Sequence, residues 1–160
     1  MAWGDPVADL TGLSEFNSLD VIDVLARLIY GEADNQSRIG KAAVAWIVSN
    51  RVDKNMKEFG YNSYKDVCLY PGAFDGIKLL KARQPDTSST SWSDCLSEAV
   101  SATRSANPIG TCLWFVTNSK FSSAVIKSGG VEYWNFGPGN KKIVEKVVIE
   151  DHTFFRVEGY

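Results

Sequence analysis

Apolar positions follow helical spacing through the first hundred or so residues and alternate toward the end of the chain. Residues 1–17 read as an irregular lead-in, with Pro6, Gly12 and few periodic apolar positions. From there Val21, Ile22, Leu25, Leu28 and Ile29 recur every three or four residues. That spacing predicts an amphipathic helix, with Ser18 or Asp20 as N-cap and Gly31 in its last turn. A second helix is predicted over residues 37–52, where Ile39, Ala42, Ala43, Trp46, Ile47 and Asn50 share one face. Its alanines allow close approach of a neighbour, so this pair is expected to form the centre of the core. Residues 54–75 read mostly as loop, closing at Pro71-Gly72, and residues 82–91 as a polar, mobile loop. A third helix fits residues 93–106, with Leu96, Ala99, Val100 and Thr103 on one side. Ser91 and Asp94 stand there in capping-box spacing.

Beyond Pro108-Ile109-Gly110 the period changes. Residues 112–118 (CLWFVTN) are short, aromatic and β-branched, and residues 142–157 alternate well enough for two strands turning at Glu150-Asp151. The expected architecture is α+β: a mainly helical lobe, then a small β-containing lobe, with a substrate cleft between them. Residues 18–160 are expected to form a single catalytic domain.

Composition narrows the function classes. The 160 residues are 44% hydrophobic and 22% charged, as in a globular domain able to bury a core without metal or disulfide support. The net charge is −2 and no basic stripe is visible, which argues against a nucleic-acid partner. No apolar run approaches the roughly 20 residues needed to span a bilayer, so membrane insertion is not expected. Cys68, Cys95 and Cys112 match no zinc or redox spacing, and the lone His152 completes no metal set. Three buried free thiols are favoured over one disulfide with an odd cysteine. No cofactor or metal is expected, and the chain reads as a monomer. The first ten residues lack the basic and apolar regions of a signal peptide, which suggests a trimmed chain or a phage-encoded lysin.

The stretch ARLIYGEAD carries the main candidate for chemistry. Glu32 falls at the C-terminal end of an apolar helix, where the helix dipole disfavours a further negative charge. Apolar neighbours such as Ile29 and Tyr30 add desolvation. Both effects raise a carboxyl pKa, as a general acid requires. A solvated glutamate at a helix end is the plainer alternative.

Residues 25–51 contain Tyr30-Gly31-Glu32-Ala33, Gly40-Lys41-Ala42-Ala43-Val44-Ala45 and Asn50-Arg51. Tyr70-Pro71-Gly72-Ala73-Phe74, the aromatic segment from Cys112 to Asn118 and the closing segment from Ile149 to Arg156 follow in order. Together these blocks resemble the bacterial cell-wall hydrolase family of the SleB and CwlJ spore-cortex-lytic enzymes. The resemblance implies a lysozyme-like fold related to lytic transglycosylases. It also implies cleavage of peptidoglycan glycan strands between N-acetylmuramic acid and N-acetylglucosamine, at the cell wall or spore cortex and outside the cytoplasm. The family's catalytic glutamate maps onto Glu32. Where the family commonly continues with a second Gly-Glu, this chain has Asn35-Gln36. Tyr70 replaces the glutamine usual before the proline, and Glu150 or Asp151 the hairpin glycine.

Sugar rings stack on aromatic faces and bond to amides, so Tyr30, Asn50, Tyr70, Phe74, Trp114 and Asn118 are candidate substrate contacts, with Tyr133 and Trp134 behind them. For each ring, core packing is the competing role. Asp75 is the best candidate for a second carboxylate, followed by Asp66. His152 reads as a satisfied structural residue of the hairpin. A second carboxylate facing Glu32 would indicate a muramidase that hydrolyses the same bond. Without one, a lytic transglycosylase route through Glu32 alone is favoured. A non-catalytic peptidoglycan-binding or structural module is the reading of another class, and Asn35-Gln36 is the feature that supports it.

Overall fold

The computed structural model describes residues 1–102 and 104–160, in two compact units, Met1–Pro108 and Ile109–Tyr160. The boundary falls where the sequence changes period.

The first unit is built around helix α1 (Val21–Ala33), buried on nearly every side. The Asp20 side chain accepts from the Ile22 N–H at 2.8 Å and caps it, as the sequence suggested. Around α1 pack α2 (Arg38–Lys54), α3 (Tyr64–Leu69), α4 (Leu80–Arg83) and α5 (Thr90–Val100). Helix α2 is buried along most of its length rather than on one face. Gly40, Ala42, Ala43 and Ala45 are all buried, whereas Ile39, expected on the inner face, is 60% exposed in the first turn. Beside it, Arg38 is held to α5 by Glu98 at 2.7 Å.

Two stretches expected to be loop are partly helical. Ser63 accepts from the Asp66 N–H and opens α3, and Asp86 accepts from the backbone and hydroxyl of Ser88 in the turn that precedes α5. Helix α5 starts earlier than expected because Ser89, not Ser91, is its N-cap, and it ends at Val100. Ser89 Oγ accepts from the Trp92 N–H at 3.1 Å. Ser91 donates instead to the Asp34 carbonyl, just past the end of α1. Thr103, assigned to that helix from its spacing, lies outside the described residues.

Two buried arginines tie the first residues to this unit. Arg27 pairs with Asp23 at 2.8 Å and donates to the carbonyls of Asp5, Ala82 and Arg83. Arg83 donates to the carbonyls of Lys78, Asp9 and Gly12. The lead-in thus has its own 3-10 turn, Ser14–Ser18, with Phe16 fully buried beneath Arg83.

The second unit is an antiparallel five-stranded sheet in the order β1-β5-β4-β3-β2. Its strands are β1 (Trp114–Thr117), β2 (Ile126–Ser128), β3 (Val131–Asn135), β4 (Asn140–Ile149) and β5 (His152–Val157). β4 and β5 form the expected hairpin, with Ile149 opposite His152 across Glu150-Asp151. Helix α6 (Asn118–Ala124), β2 and β3 are additions to the predicted elements. Phe121, Trp134, Phe155 and Val157 form the core. Cys68, Cys95 and Cys112 are buried, and among the described residues they form no disulfide. Among the described residues no helix is long and apolar enough to cross a membrane.

Candidate active site

The last turn of α1 carries Tyr30-Gly31-Glu32-Ala33. Two glycines set its geometry. A Cβ on Gly31 would stand 2.2 Å from the Gly76 carbonyl oxygen, and one on Gly76 would stand 2.7 Å from the Glu32 side chain and backbone nitrogen. Only glycine at both positions lets the loop after Phe74 cross α1 so closely. At the crossing, the Gly76 N–H donates to Glu32 Oε1 at 2.7 Å. The carboxyl is therefore held by the main chain of a segment 44 positions away.

The Glu32 carboxyl is half-buried, and its pKa lies above the usual glutamate value. Burial is the chief cause, and the neighbouring Asp75 charge pushes the same way. The Gly76 hydrogen bond and the charges of Lys81 and Arg51 oppose the rise without cancelling it. A protonated carboxyl beside nearby cations can give up a proton and still be stabilised as the carboxylate afterwards. Just past α1, Lys41 is buried and donates to the carbonyls of Asp34 and Gln36, while Lys81 pairs with Asp34 at 2.8 Å. These cations offset the negative end of the helix dipole.

Of the residues singled out from the sequence, Phe74 and Asp75 are brought next to Gly76, with Phe74 buried and Asp75 exposed. Tyr70 is half-buried at the start of the same loop. Tyr30 is buried, with its ring edge-on to Trp92 at 5.7 Å, and Asn50 is buried in α2. Trp114 and Asn118 belong to the second unit. Trp114 packs against Phe136, Phe155 and Tyr160. The Asn118 amide is engaged at the hairpin, donating to the Glu150 carbonyl at 2.6 Å and accepting from Thr153 Oγ1 at 2.8 Å. His152 is buried among aromatic rings as a structural residue would be, but its Nδ1 has no hydrogen-bond partner among the described residues. Burial holds its pKa below the ordinary histidine value.

Gly76, Lys81 and Arg51 were not singled out for the site. Arg51 is buried over the rings of Phe74, at 4.7 Å, and Phe59, at 5.1 Å. Burial lowers its guanidinium pKa to about 10, which leaves it charged at neutral pH. The available signal was an arginine within a predicted core helix. Among the described residues, no group of three or more His, Cys, Asp or Glu side chains is gathered as a metal ion would require.

Comparison with solved structures gives two matches. The catalytic domain of the germination-specific lytic transglycosylase SleB from Bacillus anthracis matches with a TM-score of 0.55 at 20% identity, over 88% of this chain and 98% of that one. The catalytic domain of the Bacillus cereus SleB protein matches with a TM-score of 0.56 at 20% identity, over 85% and 89%. The chain therefore has the mixed helix-and-sheet, lysozyme-like fold of those domains. Comparison with curated proteins finds no match. The sequence pattern of the cell wall hydrolase family matches residues 35–155, beginning three positions after Glu32. That match covers most of both units, and on it the chain belongs to the cell wall hydrolase family of enzymes.

Proposed function

We propose that the chain cleaves peptidoglycan glycan strands between N-acetylmuramic acid and N-acetylglucosamine, as a lytic transglycosylase with Glu32 as its one acid–base residue. The observation that carries this reading is the Glu32 carboxyl itself: half-buried, raised in pKa and fixed by the Gly76 N–H. In the first step Glu32 gives its proton to the glycosidic oxygen as the bond from C1 breaks. The carboxylate then takes the proton of the muramic 6-hydroxyl, whose oxygen attacks C1 and closes a 1,6-anhydro ring. Glu32 ends protonated, ready for the next cycle, and no water is consumed. The Gly76 N–H, Arg51 and Lys81 favour the carboxylate stage, and burial favours the acid stage. Pushed both ways, the group can serve in both roles. The Bacillus anthracis SleB domain, a lytic transglycosylase, shares this fold at 20% identity.

A muramidase is the second reading, and Asp75 is the observation that favours it. This exposed carboxylate adjoins the residue that binds Glu32, and its charge is felt there. Digestion of purified peptidoglycan by wild type and Glu32→Gln, with mass spectrometry of the products, separates the two. Anhydro-muramic ends from wild type alone are the expected result. Reducing ends would turn the assignment to hydrolysis, with Asp75→Asn as the next variant. Binding without release by either protein would end the enzymatic reading.

A further inference from the structure

The first unit carries an open surface cavity of about 380 Å³ whose lining includes Asn17, Lys57, Tyr61, Asp66, Tyr70 and Pro71. Its volume is that of a small-ligand site.

Tyr61 is the unusual residue here. Its φ is +64°, in the left-handed region that bulky side chains seldom occupy. Such a conformation persists only where its surroundings impose it. Here they do, since the Tyr61 N–H donates to the Met56 carbonyl at 3.0 Å. Gly60, at φ +93°, lies so close to α3 that a Cβ would stand 2.7 Å from the Asp66 carbonyl oxygen. The turn is thus clamped against α3, and Tyr61 remains 53% exposed. On the other side, Lys65 donates to the Asn17 carbonyl and ties the lead-in to α3.

Tyr70 and Pro71 begin the loop that ends at Gly76, the donor to Glu32. Six residues span at most about 22 Å, so the Tyr70 end of the cavity lies within that distance of the Gly76 backbone. Tyr70 and the Gly76 donor to Glu32 thus belong to one short loop.

We propose that this cavity is a distal saccharide subsite. It takes one N-acetylated sugar ring of the glycan strand, away from the bond that is cut. Tyr61 and Tyr70 offer aromatic faces to the ring, while Asn17, Lys57 and Asp66 supply hydrogen-bonding groups for its hydroxyl and amide substituents. The clamped turn fixes the backbone that carries Tyr61, which lowers the ordering cost of binding. This inference rests on the peptidoglycan reading of Glu32.

The test uses the full chain carrying Glu32→Gln, so that binding is read without turnover. The probe is a peptidoglycan tetrasaccharide of two N-acetylglucosamine–N-acetylmuramic acid pairs, followed by NMR. Shifts of the Tyr61 and Tyr70 ring signals are expected on titration. Adding Tyr61→Asn, a residue that tolerates the left-handed backbone, should weaken binding about tenfold. Tyr61→Gly removes the ring without backbone strain and should give the same loss. Affinity within about twofold of the parent in both variants would overturn the subsite. So would shifts confined to Gly76 and its neighbours, or a parent protein that does not bind the tetrasaccharide. If the saccharide binds at Tyr61 while wild type releases no muropeptides, the subsite stands and the cleavage reading falls.

Discussion

At the scale of single residues, Glu32 is held in a compromise that shows in stability as well as in chemistry. Its folded pKa is raised, so folding favours the protonated form. That contribution is fully present below the ordinary glutamate value of about 4.3 and is lost as pH rises through the folded pKa. Near neutral pH, ionised Glu32 therefore costs stability. Glu32→Gln keeps an oxygen for the Gly76 N–H and cannot ionise. It is expected to melt at a higher temperature than wild type at pH 7, with the difference disappearing by pH 4. A variant no more stable than wild type at any pH would mean that the carboxyl is well solvated. The raised pKa of Glu32 is legible in the sequence in part: the apolar helix around it is local, whereas Asp75, Lys81 and Arg51, which also act on it, are not. Gly76 is not legible, because its role arises from a backbone crossing between segments 44 positions apart. Arg51 is hidden for a similar reason, since the rings beneath it come from a 3-10 turn and a loop outside its own helix.

At the scale of elements, the buried Arg27–Asp23 pair joins α1 to both the lead-in and α4. Removing the cation leaves Asp23 buried without its ion-pair partner and takes the Arg27 donors from the carbonyls of Asp5, Ala82 and Arg83, of which Arg83 keeps the Val7 N–H. Arg27→Ala is expected to cost about 3–5 kcal/mol in equilibrium urea unfolding. A loss under about 1 kcal/mol would show that the pair is a replaceable contact. Elements whose signals lie within a few residues were read well: the Asp20 cap, the period of α1 and the β4–β5 hairpin. Sequence and structure part where neighbours decide. Two serines compete to cap α5, and Ser91 is diverted by the Asp34 carbonyl. Helix α2 is enclosed on most sides, so a one-face pattern could not describe it. β2 and β3 are three and five residues long, and each is defined by cross-strand pairing.

At the scale of the whole molecule, the three thiols can report on the two units separately. Cys68 and Cys95 lie in the first unit and Cys112 in the second, all buried, with burial pushing each pKa up to about 12. None should react with a thiol reagent at pH 8 while the chain is folded, because so little thiolate is present. In rising urea, Cys112 is expected to label before the other two, since a smaller unit buries a smaller fraction of its surface. Mass spectrometry of the labelled peptides would settle the order, and simultaneous labelling would mean that the units unfold as one. The arginine clasps on the lead-in have a practical consequence for handling the enzyme. Met1 is 86% exposed, yet the backbone is gripped a few residues later at Asp5, Asp9 and Gly12. A bead or sensor surface coupled ahead of Asp5 would therefore be joined to backbone already fastened to the first unit, not to a swinging tail.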